Sequence, residues 1–132
     1  MGKVERFEDL IAWQKARALT KDIYALTRQP GVARDFGFVQ QLQRATVSIM
    51  SNLAEGFERG GRSEFQHFLP IAKSSCAETR SLLYVALDAG YLDQERFQAL
   101  LAHAEEVGRI SGGLRAAVER QRDEQQPKRR SI

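Results

Sequence analysis

Cysteine is nearly absent from this sequence. Cys76 stands alone among 132 residues, so no disulfide can form within the chain. An unpartnered thiol in an apolar stretch fits a reducing compartment and an inert core position. Histidine is almost as scarce, with only His67 and His103. A carboxylate-bridged metal bundle needs a Glu-x-x-His motif twice and two further glutamates. Here Glu64 precedes His67 by three, but Leu100 holds that place before His103. No metal site and no cofactor are expected.

Proline is limited to three positions, two of them, Pro30 and Pro127, at expected element ends. Long hydrophobic runs are missing too. No uncharged stretch approaches the ~20 apolar residues needed to cross a bilayer. The opening Met1-Gly2-Lys3-Val4-Glu5-Arg6 has no apolar core of a signal peptide, so a cytoplasmic protein is expected. Catalytic patterns are lacking as well. Gly60-Gly61 lacks the glycine–lysine–hydroxyl pattern that a phosphate loop requires. Ser74-Ser75-Cys76 lies mid-helix with no base at a characteristic spacing. The expectation is a protein that is not an enzyme.

What is present is helix-forming sequence. Apolar residues make up 42% and charged residues 28%, the balance of an ordinary globular chain. Spacings of three and four predict a first helix over about Glu8–Arg28, with Leu10, Trp13, Ala16, Thr20, Ile23, Tyr24 and Thr27 on one face. Ile11, Ala18 and Ala25 form a second stripe beside it, widened by Leu19 and Leu26. The second helix is expected from an Asp35 cap to Glu58, buried through Phe38, Leu42, Ala45, Ile49, Leu53 and Phe57. Ser63 and Gln66 have the spacing of a capping box and open the third. Its inner face is Phe65, Phe68, Leu69, Ala72, Cys76, Thr79, Leu83, Ala86 and Leu87, and Gly90 closes it. Pro70 inside it predicts a kink. The fourth runs from Asp93 to about Arg122 on Phe97, Leu100, Leu101, Ala104, Val107, Ser111, Leu114 and Val118. Gly108 and Gly112 on it mark a close helix approach or a weak exposed turn.

Four long helices with short connections bury their stripes by packing on one another. An all-α, antiparallel up-and-down four-helix bundle over residues 1–122 is therefore predicted. Residues 123–132 read as a disordered basic tail. The leftover apolar width of the first helix predicts self-association.

The second helix also carries a polar stripe: Gln41, Arg44, Ser48, Asn52 and Glu55. It reads either as a solvated face or as a polar seam against the third helix. Equal rise from a turn at Gly60-Gly61 sets Arg44 level with Glu78, Ser48 with Ser74, and Asn52 with Pro70. A mostly buried Arg44–Glu78 pair is the sharpest expectation, with Asn52 bonding a carbonyl freed at Pro70.

The tract Gln41-Leu42-Gln43-Arg44-Ala45-Thr46-Val47-Ser48-Ile49-Met50-Ser51-Asn52-Leu53-Ala54-Glu55-Gly56 resembles the signature of the four-helix bundle proteins encoded in 23S rRNA intervening sequences. That fold is shared by the accessory variability proteins of diversity-generating retroelements. Phe7 to Ala16, Ile23-Tyr24, Gly37, Phe65 to Leu69, Ile71-Ala72-Lys73, Ser75, Glu78 and Gly90-Tyr91-Leu92 extend the likeness over about residues 7–120. The sequence departs at Gln43, where many members carry arginine, at Ser74, where many carry glycine, and at Cys76 and Thr79, where leucine is common. The resemblance implies a ring-shaped homo-oligomer, a pentamer. It also implies RNA or DNA as a partner, and for the retroelement relatives a reverse transcriptase.

Two functions follow as alternatives. One is a nucleic-acid-binding, ribonucleoprotein accessory factor, which uses Lys15, Arg17, Lys21 and Arg28 and the tail residues Lys128, Arg129 and Arg130. The net charge is only +3, but a ring multiplies it. The other is a protein–protein scaffold or reverse-transcriptase accessory subunit, or a partner of a ribosomal component, without independent nucleic-acid binding. It is favoured by the equal count of six basic and six acidic residues over 32–92 and by the scarcity of aromatics for base stacking, Trp13 and Tyr91 being the candidates.

Overall fold

The helices begin and end where local chemistry dictates. Residues 4–124 are described in the computed structural model, with side chains through Ala117. A 3-10 turn over Phe7–Asp9 is followed by extended backbone at Leu10, and α1 runs over Ile11–Thr27. The first helix is thus shorter than its pattern suggested. Pro30 then starts a short helix, α2, Pro30–Ala33, where a proline's missing N–H costs nothing. The Asp35 carboxylate accepts from the Phe38 N–H at 3.3 Å and caps α3, Phe36–Glu58. Gly60 takes a φ of 78°, the left-handed turn that ends α3, and α4 spans Arg62–Asp88. Gly90 does the same after α4 with φ 79°. Asp93 caps α5, Gln94–Glu124, by accepting from the Arg96 N–H at 2.8 Å.

The capping box is a correction. Gly61, not Ser63, holds the cap position of α4 and offers no side-chain bond. Gln66 reaches across instead and donates to the Arg115 carbonyl at 3.0 Å. Pro70 sits inside α4 without ending it.

Each helix touches its neighbours in the cyclic order α1, α3, α4, α5 and back to α1. Pairings run in opposite directions along every interface. Thr20 and Thr27 meet Thr46 and Gln43; Gly56 and Ser48 meet Phe68 and Ser75; Cys76 and Tyr84 meet Gly108 and Phe97; Lys15 and Asp22 meet Glu106 and His103. Neighbours are therefore antiparallel, and the described residues contain helices and no strand.

The core is the sum of four stripes. Leu19, Ile23, Leu26, Leu42, Ile49, Leu53, Leu69, Leu83 and Val107 are fully enclosed. Leu19 and Leu26 thus belong to the centre of α1, whereas Trp13, Thr20 and Tyr24 of the expected main stripe lie half-buried at its edges. The break at Leu10 starts α1 late, and the buried line is Ala12, Ala16, Leu19, Ile23 and Leu26. Ile11, Ala18 and Ala25 remain exposed.

Candidate nucleic-acid interface

The polar stripe of α3 divides when the bundle closes. Gln41, Arg44 and Glu55 are exposed, as is Glu78 on α4. Glu55 pairs with Arg59 one turn along its own helix at 3.0 Å. No ion pair joins Arg44 to Glu78 among the described residues, so the buried bridge is not formed. Only the middle of the stripe faces α4. The Ser75 hydroxyl donates to Ser48 Oγ at 2.8 Å, and Asn52 donates to Ser48 Oγ at 3.0 Å and to its carbonyl at 2.8 Å. Ser75, not Ser74, is level with Ser48. Asn52 spends its amide on Ser48 rather than on a carbonyl freed by Pro70. This knot of hydroxyls and an amide fastens α3 to α4.

The basic residues of α1 fall on two sides. Lys15 turns toward α5, where its ammonium meets Glu106 at 2.6 Å. That contact holds the Glu106 carboxyl below the ordinary carboxylate range. Arg17, Lys21 and Arg28 share another face, at multiples of about 100° per residue, and all three are exposed. Arg17 lies 5.8 Å over the Trp13 ring, a cation–π contact. Lys128, Arg129 and Arg130 lie outside the described residues. The two stacking candidates are engaged elsewhere: Trp13 packs edge-on to Phe7 at 5.2 Å, and the Tyr91 hydroxyl donates to Asp35 at 2.7 Å.

A stronger cationic feature lies between α4 and α5. A groove of about 560 Å³ opens there, lined by Lys73, Cys76 and Arg80 from α4 and by Glu105, Gly108, Arg109 and Gly112 from α5. Lys73 and Arg80 stand two helical turns apart, ~10 Å along one wall. Arg109 rises from the other. None of the three forms an ion pair among the described residues. The glycines explain the depression. A methyl group on Gly112 would sit 3.7 Å from the Lys73 ammonium, and one on Gly108 would sit 3.7 Å from Cys76 Cβ. Any larger side chain there would fill the floor. Cys76 lies under that floor, only 2% exposed, and burial pushes its thiol up to about 11 against a small opposing pull from Arg80. It is a neutral packing atom, not a nucleophile. Among the described residues no cluster of three or more His, Cys, Asp or Glu could hold a metal ion. No helix among them is long and apolar enough to cross a membrane.

Sequence reading passed over these cations. Lys73 and Arg80 flank a core cysteine at seven-residue spacing, and Gly108 and Gly112 face them from the next helix. The signal was the pairing of small residues on one helix with basic residues on its antiparallel partner. It becomes visible only when the register between the two helices is known.

The model of the 23S rRNA-intervening sequence protein family matches residues 8–113. The chain belongs to that family. The fold agrees with a solved structure from Bacteroides thetaiotaomicron, a protein of unknown function from the S23 ribosomal protein family. The TM-score is 0.73 at 19% identity, covering 80% of this chain and 96% of that one. No curated protein matches the chain. The matched span takes in the signature tract of α3 and both walls of the groove. The signature's residues serve the fold: Leu42, Ala45, Ile49 and Leu53 fill the core, and Gly56 lets α4 approach.

Proposed function

We propose that this member of the intervening-sequence family is a non-enzymatic accessory protein that binds nucleic acid through its phosphate backbone. The α4–α5 groove carries this reading: three cations without ion-pair partners among the described residues line a concave trough, whose glycine floor lets an extended chain come close to helix backbone. Phosphate contacts of this kind supply most of sequence-independent affinity. The exposed Arg17, Lys21 and Arg28 on α1 add a second, weaker basic face, and Lys15 is discounted because Glu106 neutralises it.

The protein is further proposed to act as a homo-oligomer, with five copies as the number the family resemblance implies. The exposed line Ile11, Ala18 and Ala25 on α1 supports self-association, with Ile11 56% exposed. A ring would present several grooves to one strand and raise affinity by avidity.

Fluorescence anisotropy of a labelled oligonucleotide, titrated over a range of salt, tests the binding. Affinity should fall steeply with salt. Replacing Lys73, Arg80 and Arg109 together with Gln should flatten the logarithmic slope by about two units, since each single-strand phosphate contact contributes ~0.7. Absence of binding at low salt would overturn this reading in favour of a protein–protein scaffold. Light scattering tests the assembly, and a mass near the 14.9 kDa of one chain would remove it.

A further inference from the structure

We infer that the α4–α5 groove takes single-stranded RNA by its sugar–phosphate backbone, with Glu105 accepting a hydrogen bond from a ribose 2′-hydroxyl. The inference rests on the nucleic-acid reading above and narrows it. Three features of the groove carry it.

The first is width. The groove lies between two adjacent packed helices, whose axes stand ~8–10 Å apart. One extended backbone fits such a trough. A duplex, with two backbones and paired bases between them, is wider than the space and would touch only the rim.

The second is composition. Among the described residues, no aromatic lines the trough. Bases therefore have no stacking platform there, and the usual source of base preference on single strands is missing. The bases point outward, and the strand is held by Lys73 and Arg80 on one wall and Arg109 on the other. Lys73 and Arg80 are far enough apart to meet successive phosphates rather than the same one.

The third is the one acidic group in this cationic setting. Glu105 lines the groove one turn before Arg109 and pairs with no cation among the described residues. An ionised carboxylate only accepts hydrogen bonds. Beside a DNA backbone it meets phosphates and a sugar without a donor, which is purely repulsive. Beside RNA it meets a 2′-hydroxyl, the one donor on the sugar and the group that separates RNA from DNA. The same carboxylate thus penalises one polymer and is satisfied by the other.

The test compares a short oligouridylate, the oligodeoxyuridylate of the same length, and an RNA duplex, each as a labelled probe on the full-length protein. The single-stranded RNA should bind roughly tenfold tighter than the DNA, the worth of one charge-assisted hydrogen bond. It should also bind tighter than the duplex. Glu105→Ala should tighten DNA binding and bring the two single strands to near-equal affinity. Glu105 is exposed and alanine suits a helix, so the variant should fold as wild type does, with an unchanged circular dichroism spectrum. Equal affinity of wild type for the two single strands, a preference that survives Glu105→Ala, or tighter duplex binding would each overturn the inference while leaving nucleic-acid binding in place. Failure of all three probes to bind at low salt would overturn both.

Discussion

Gly56 of α3 packs directly against Phe68 of α4: a methyl group at Gly56 would lie 2.8 Å from Phe68 Cβ and 3.0 Å from Phe65 Cδ1. The atom in the way is a Cβ, fixed to the backbone, so no rotamer change relieves it. Two effects oppose each other in Gly56→Ala. Alanine gains about 0.5–1 kcal/mol in helix propensity. Overpacking a closed interface costs about 1–3 kcal/mol. The clash wins, and the variant should lose roughly 1–2 kcal/mol in denaturant unfolding. A raised midpoint would mean that α3 and α4 part at no cost.

Arg44 and Glu78 are both exposed and form no ion pair among the described residues, so removing either charge should do little. Arg44→Met is expected to keep the wild-type denaturant midpoint within about 0.5 kcal/mol, as exposed substitutions usually do. A loss of about 3 kcal/mol or more would be the signature of a broken buried pair, and would contradict the exposed placement.

The fate of that pair shows how far the sequence could be read. The apolar stripes of α3, α4 and α5 were legible, because periodicity alone selects Leu42, Ile49, Leu53, Leu69, Leu83 and Val107, and all of them are buried. So were the cap at Asp35, the start of the last helix at Asp93 and the left-handed Gly90, which depend only on local chemistry. Register between helices was less legible. Equal-rise counting put Ser74 beside Ser48, and Ser75 is there instead. One residue is only ~1.5 Å of rise but ~100° of rotation. That rotation carries Glu78 to the outside and leaves the neighbouring Thr79 in the core, 0% exposed. The α4–α5 groove was hidden for the same reason, since its charges converge only across an interface. On α1 the pattern itself was ambiguous. Wide amphipathic helices admit two stripes, and packing in the bundle buries Leu19 and Leu26.

Ser111 presents the reverse situation, a polar group where none is needed. Its Oγ is buried without a hydrogen-bond partner among the described residues, and the residue is 1% exposed. An unsatisfied buried hydroxyl costs ~1–3 kcal/mol. Ser111→Ala removes that cost and improves helix propensity. The expected result is a gain of about 1 kcal/mol in the denaturant midpoint. A comparable loss would show that the hydroxyl has a partner, such as an enclosed water.

Cys76 links stability to alkaline pH. Its thiol is raised from 9.0 to about 11, chiefly because burial disfavours the thiolate, with Arg80 pulling slightly the other way. The unfolded chain ionises first, at an ordinary thiol value. A group whose folded value is raised contributes its stability below the unfolded value and loses it as pH climbs through the folded one. The loss should therefore begin near pH 9 and be complete beyond about 11, amounting to something on the order of 2–3 kcal/mol at ~1.4 kcal/mol per unit. Lysines and tyrosines titrate in the same window, so the comparison must be between variants. Cys76→Ala should be less stable than wild type at pH 7, because it leaves a small void under the groove floor. The gap should narrow steadily above pH 9. The thiol should also resist alkylation at pH 8 in the native protein and react once it is unfolded in denaturant. Rapid native alkylation at pH 8, or a gap that stays constant to the alkaline limit, would mean that water reaches Cys76 through the groove floor.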